Sequence, residues 1–231
     1  MSPARDYQLF PGLCTESAVR KIYVETSHVR PNFANKIHSS LANQPRCCMS
    51  DPWERTGVVE TYTGGGFDLF APDPADVALE DTAARLAHTC RFGGHCREFY
   101  SVAHHSLHVS AELFDASACL RLLGLLHDAS EAYLGDIPRP LKAAHDVFER
   151  IESDILDAVW ASFDGGSQTD DEWDRIMAAD DRLLAYEVSY LLKGGDWAGD
   201  PPDRMYELQS DDIQWVRDKF ASRTRSLLNQ L

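Results

Sequence analysis

The stretch LLGLLHDASEAYLGDIPRPLK, residues 122–142, begins like a buried helix and ends in polar chemistry. Four leucines lead into His127 and Asp128, Glu131 follows, and Asp136 sits on a Gly-Asp turn. Leu122, Leu126, Ala129 and Tyr133 recur at spacings of four, three and four, the inward stripe of an amphipathic helix. The pattern predicts a helix over residues 117–134, closed by Gly135. His127 and Glu131 are four apart, and Asp128 and Glu131 three apart, so they share the other side of the turn. Adjacent His127 and Asp128 diverge by about 100°, yet a metal ion between their tips accepts both. An imidazole nitrogen with a carboxylate oxygen suits Mn, Fe, Co, Zn or, less ideally, Mg. Two ligands do not hold a metal alone, so partners must come from elsewhere in the chain.

YSVAHHSLHVS, residues 100–110, supplies three histidines on one helix capped by Ser101. His104 and His108 are four apart and make one pair, while His105 points elsewhere. Geometry alone does not choose between them. A last carboxylate is available in RIMAADDRLLAYEVSYLL, where Asp180 and Asp181 sit among apolar residues that penalise an unpaired charge. The plain alternative is a helix surface with one acid paired to Arg175 or Arg182.

Around these segments the chain is organised as one domain with an extension. Residues 1–48 lack sustained periodicity and read as a poorly ordered or loosely packed N-terminal extension; the domain proper begins at Met49 and runs to 231. VVETYT and FDLF flank Gly64-Gly65-Gly66 and predict a small hairpin. After APDPADV the chain reads helical almost to its end. Asp76 is expected to cap a helix reaching about Thr89, RFGGHCREFY is a loop, and Ile137-Pro138-Arg139-Pro140 forces an irregular turn. Further helices are expected near 143–163, 172–193 and 210–229. QTDDEWD reads as a loop and a solvated helix start.

Net charge −15 with 5 Lys and 17 Arg against 24 Asp and 13 Glu argues against a nucleic-acid binder, which needs a basic face. An Asp-rich, Lys-poor surface resembles proteins of salt-loving organisms, whose stability falls when salt is removed; a merely acidic protein is indifferent to it. No apolar run approaches the roughly 18–20 residues needed to span a bilayer. The N-terminus lacks the order of a secretory signal, which makes the cytoplasm the default location. None of the six cysteines forms a CxxC pair, so reduced thiols are expected. HTCRFGGHC gathers His88, Cys90, His95 and Cys96, a zinc-module alternative whose spacing matches no standard finger.

The order H…HD…D, with HDASEAYLGDIPRPLK and an upstream RFGGHCREFYSVAHHSLHVS, resembles the HD-domain metal-dependent phosphohydrolases. The similarity covers about residues 57–230. It is nearest the small bacterial and phage branch containing the 5′-deoxynucleotidases and the phage dATP triphosphohydrolases (DatZ). It implies an all-α HD-domain helical fold with a small N-terminal β-hairpin. Its metal ligands fall on His105, His127, Asp128 and Asp180, for one divalent ion (Mn, Co, Fe, Zn or Mg). The ligand Asp precedes a Glu by seven positions, here Glu187, so Asp181 is the variable neighbour. The position before His105 is commonly Glu in the family and is His104 here. Glu131 and Asp136 match acids near the attacked phosphorus, Arg91 matches an arginine that holds phosphate, and Lys142 is a candidate second phosphate contact. Phe92 and His95, on the Gly-Gly loop, are placed beside the substrate. The implied activity is hydrolysis of a deoxynucleotide, as a dNMP 5′-nucleotidase or a dNTP triphosphohydrolase, through a metal-activated water. The implied partner is a small nucleotide, with no nucleic-acid polymer and no membrane, and a homo-oligomer is compatible with it. A non-catalytic HD-fold nucleotide sensor is the competing reading, and it predicts a damaged ligand set or the loss of Glu131.

Overall fold

The fold is mostly helical, with one small antiparallel hairpin at the N-terminal side of the described region. The computed structural model describes residues 57–163, 168–194, 197–208 and 212–231. The expectations for residues 1–48 and for the boundary at Met49 lie outside them. Strands β1 (Val58–Glu60) and β2 (Gly66–Asp68) pair with Glu60 opposite Gly66. Gly64, at φ 86°, supplies the left-handed backbone of the turn. Phe67 is fully buried and stacks on Tyr133 with ring centroids 3.7 Å apart, which fastens the hairpin over the HD segment.

Eight helices follow among the described residues: α1 Leu79–His88, α2 Val102–Glu112, α3 Ala118–Leu125, α4 Glu131–Leu134, α5 Arg139–Ala143, α6 Asp146–Ser162, α7 Asp170–Leu191 and α8 Ile213–Leu228. α8 packs against α1, α2 and α3, and α2 packs against α1, α3 and α7. The shared core includes Leu86, Val109, Leu122, Leu126, Ile155, Val159, Ile176, Leu183 and Phe220. Local chemistry sets the helix starts. Ser101 accepts from His104 N–H at the head of α2, and Ser117 accepts from Leu120 N–H at the head of α3. Thr169 and Glu172 form a reciprocal capping box on α7, so QTDDEWD is a solvated helix start.

Three local expectations change. The helix over 117–134 is broken: α3 ends at Leu125, and Leu126–Ser130 passes through tight turns before α4. There Leu126, Ala129 and Glu131 N–H groups donate three residues back, to Leu123, Leu126 and Asp128, in 3-10 fashion. Asp76 does not cap α1; Asp73 caps a 3-10 turn at Pro74–Asp76, and Ala78 precedes the helix. Pro138 and Pro140 do not prevent a helix. They start α5, where a missing first-turn N–H costs nothing. Helices α6, α7 and α8 begin and end within three residues of the expected positions.

The stripe itself holds, since Leu122, Leu126 and Ala129 are buried on both sides of the break. Leu122→Ala is expected to cost about 2–5 kcal/mol, because a fully enclosed side chain leaves a cavity. Thermal unfolding should report a Tm lower by roughly 5–15 °C. A change below about 1 °C would mean that the helix is not anchored by this face.

Candidate metal centre

The broken segment presents His127 and Asp128 at the end of α3, facing a residue from each of two other helices. His105 comes from α2 and Asp180 from α7. One ligand atom from each of His105, His127 and Asp180 lies within 4.8 Å of the others, and all three residues are buried. His105 Nε2 is 3.0 Å from Asp180 Oδ1, and His127 Nε2 is 3.9 Å from the same oxygen. None of these three atoms has a hydrogen-bond partner in the protein. Asp128 stands beside them, with Oδ2 at 3.3 Å from His127 Nε2 and 3.8 Å from His105 Nε2. Buried polar atoms normally find a partner. Two imidazole nitrogens and one carboxylate oxygen left open toward one another fit a divalent cation.

Each histidine is aimed by what its other nitrogen does. His127 Nδ1 is 2.9 Å from the Gly124 carbonyl, and His105 Nδ1 is 2.6 Å from Glu187 Oε1. Both contacts assign the proton to Nδ1 and turn Nε2 toward the cluster. Glu187 served in the sequence only as a spacing marker; here it is fully buried and also accepts from Arg91 Nε at 3.1 Å. Asp180 is oriented from outside. Arg139, on α5, donates to its Oδ2 at 2.6 Å, leaving Oδ1 for the cluster. Arg139 also reaches Asp181, whose side chain is 65% exposed, so Asp181 takes no part in the centre. Sequence reading passed over Arg139 because it lies between two prolines taken for an irregular turn.

His104 and His108 lie elsewhere. Their rings are 4.7 Å apart, and His108 Nδ1 meets Tyr100 Oη at 2.9 Å. Burial, with His104 close by, pushes His108 down to about 3, so it stays neutral. The HTCRFGGHC set does not gather as a metal group among the described residues, and His88 Nδ1 bonds back to Ala84 O at 2.7 Å.

The charged groups divide by environment. Burial and Arg91 push His105 down, but Glu187 and Asp180 outweigh them and hold it at about 9. Burial pushes Asp128 up, yet His127, His105 and Arg91 bring it well below the usual range, and Asp180 is likewise depressed by the two histidines. Glu131 goes the other way. Burial, then the Asp128 and Asp136 carboxylates, raise it well above an ordinary glutamate, and its Oε2 has no partner. Asp136 accepts from Gly93 N–H at 3.1 Å, which ties the turn after α4 to the loop carrying Arg91.

The expected substrate residues part company. A cavity of about 450 Å³ is lined by His127, Asp128, Asp180, Arg139 and Lys142, with Leu156, Trp160, Trp173 and Met177 as its apolar wall. Lys142 pairs there with Glu152 at 2.7 Å. Arg91, Phe92 and His95 are not in that lining. Arg91 is buried, with Nη1 on Asp128 at 3.3 Å, while His95 is exposed. Phe92 has a left-handed backbone (φ 57°), and the Arg91 guanidinium lies 5.4 Å from its ring centre.

No known family model matches the chain. Over 101 residues it is 38% identical to the uncharacterized protein YfdR of Escherichia coli (strain K12), covering 44% of this chain and 54% of that protein. Over 102 residues it is 39% identical to the uncharacterized protein RCAP_rcc00048 of Rhodobacter capsulatus, covering 42% of this chain and 50% of that protein. The chain thus spans about half the length of the curated relatives it matches, and neither name states an activity. No described helix is long and apolar enough to cross a membrane.

His127→Ala and Asp180→Ala should each abolish Mn²⁺ binding measured by titration calorimetry, whereas Asp181→Ala should leave it intact. Below about pH 9 the cation must displace a proton from His105. Affinity should therefore rise with pH, by about tenfold per unit between roughly 7 and 9, and level off above. A pH-independent affinity would show that binding displaces no proton from His105.

Proposed function

We propose that this protein is an HD-type, metal-dependent phosphohydrolase acting on a small nucleotide, with a deoxynucleotide as the preferred substrate. The observation that carries the reading is the cluster of three buried, unpartnered ligand atoms on His105, His127 and Asp180. Beside it stands Glu131, a second buried acid with an open oxygen. The resemblance, taken over HDASEAYLGDIPRPLK together with the upstream SVAHHS and downstream ADDRLLAYE segments, implies those same residues.

A divalent ion held by His105, His127, Asp180 and Asp128 would polarise a phosphoryl oxygen and make water more acidic. The protein's own groups have separable tasks. Glu187 and the Gly124 carbonyl keep both imidazoles turned toward the cluster. Glu131 is favoured in its protonated form by burial and by the Asp128 and Asp136 carboxylates, so it gives its proton to the leaving oxygen and the resulting carboxylate takes one back from the attacking water. Lys142 and Arg139 face the cavity and give cations to phosphate oxygens, Arg139 through a planar fork suited to them. Leu156, Trp160, Trp173 and Met177 supply an apolar wall for the rest of the nucleotide.

The test is release of phosphate, pyrophosphate or triphosphate from a panel of dNMPs, NTPs and dNTPs with Mg²⁺, Mn²⁺ and Co²⁺, at low and high salt. Turnover requiring the metal is expected. Glu131→Gln should lower kcat by about 10²–10⁴-fold and still bind Mn²⁺. Binding of metal and nucleotide without turnover would replace the enzyme reading with a nucleotide sensor. Activity unchanged in Glu131→Gln would remove that residue from proton transfer.

A further inference from the structure

The HTCRFGGHC stretch, unused by the metal centre, brings two thiols together. Cys90 Sγ and Cys96 Sγ are 3.4 Å apart, unbonded and partly exposed, on either side of the Arg91–Gly94 turn. Both flanks of the turn are fastened. Cys90 bridges Ser101 and Arg91 N–H donates to Tyr100 O at 2.9 Å, while Arg97 N–H donates to Leu191 O at 2.9 Å. A disulfide needs sulfurs about 2.05 Å apart, so the two must close by roughly 1.4 Å, within the reach of side-chain rotation and small backbone shifts.

We propose that Cys90 and Cys96 are a modification site, a dithiol that a peroxide converts to an intramolecular disulfide clipping the loop that delivers Arg91. The chemistry balances without a cofactor. Cys90 sulfur attacks hydrogen peroxide, the O–O bond breaks, and a sulfenic acid and one water form. Cys96 sulfur then attacks the Cys90 sulfur, the S–O bond breaks, and the hydroxyl leaves with the Cys96 proton as a second water. Two thiols are oxidised by two electrons and one peroxide is reduced to two waters. Burial and the adjacent Cys90 raise the Cys96 thiol to about 11, so it keeps its proton at neutral pH and its attack is the slower of the two steps. The clip closes around the turn whose Arg91 holds Asp128 and Glu187 and whose Gly93 holds Asp136. It therefore fixes the arrangement that the metal centre already has. This inference does not rest on the phosphohydrolase reading, because the sulfur chemistry is read without any substrate.

Trypsin cuts after Arg85, Arg91 and Arg97 and places the two cysteines in separate peptides, LAHTCR and FGGHCR. The full-length reduced protein is treated with hydrogen peroxide, alkylated, digested and mapped by mass spectrometry. The expected species is the two peptides joined, two hydrogens lighter than their sum and separated by a reductant. Cys90→Ser and Cys96→Ser should each lose it. The oxidised wild-type chain should melt roughly 5 °C higher, from closure of a short loop, and neither variant should show that shift. Free thiols at both positions after treatment, over-oxidation of one, or pairing of either with Cys14, Cys47, Cys48 or Cys119 would overturn the proposal. So would a joined pair with an unchanged or lower Tm, since the clip would then distort the loop rather than hold it.

Discussion

Glu187 is sealed from water, and its two oxygens are divided between His105 Nδ1 and Arg91 Nε. An ionised carboxylate at full burial is tolerable only with compensating charge and hydrogen bonds, so removing either partner leaves a costly orphan. Arg91 and His105 together keep Glu187 ionised against the burial that pushes it toward the neutral form. Through this group three parts of the chain become interdependent: the late helix α7, the histidine helix α2 and the loop before it. The orientation of His105, and with it the opening left for a cation, follows from that bond. Arg91 extends the same network to Asp128, the second member of the doublet that follows α3.

Burial and neighbouring charges give the four acids around the centre different characters. Asp128 and Asp180 lie against imidazoles and stay ionised, Glu187 is held by Arg91, and Glu131 is set apart by burial and like charge. Carboxylates whose proton affinities are pushed apart in this way take different roles in proton transfer and charge stabilisation. Each cation nearby has a carboxylate partner: Arg91 has Glu187 and Asp128, Arg139 has Asp180 and Asp181, and Lys142 has Glu152. A divalent ion is the natural complement to such a site in a chain of net charge −15.

Much of this was legible in the sequence, for identifiable reasons. Apolar spacing located the helices, and Ser101 marked its helix start through the preference of capping residues. The doublet and its downstream acids were visible because they lie close together. The break at Leu126–Ser130 was hidden: bonds reaching three residues back leave the leucine stripe and the acid spacing unchanged, and no glycine or proline lies between Leu126 and Ser130. Periodicity cannot separate the two forms of turn. Glu187 and Arg139 were missed for another reason. Their partners are 82 and 41 residues away, and nothing local in the chain records such a meeting.

Phe92 occupies a left-handed backbone conformation at φ 57° between the buried Arg91 and two glycines that share it. A β-carbon there costs of order 1 kcal/mol that glycine would not incur. For folding alone, phenylalanine is the poorer choice at this position. What the strain secures is a ring against the guanidinium of Arg91, on the same turn whose next amide grips Asp136. The loop is thus a place where stability and site architecture pull in opposite directions. Variants chosen only for heat resistance would drift toward glycine at Phe92 and erode the site without disturbing the core.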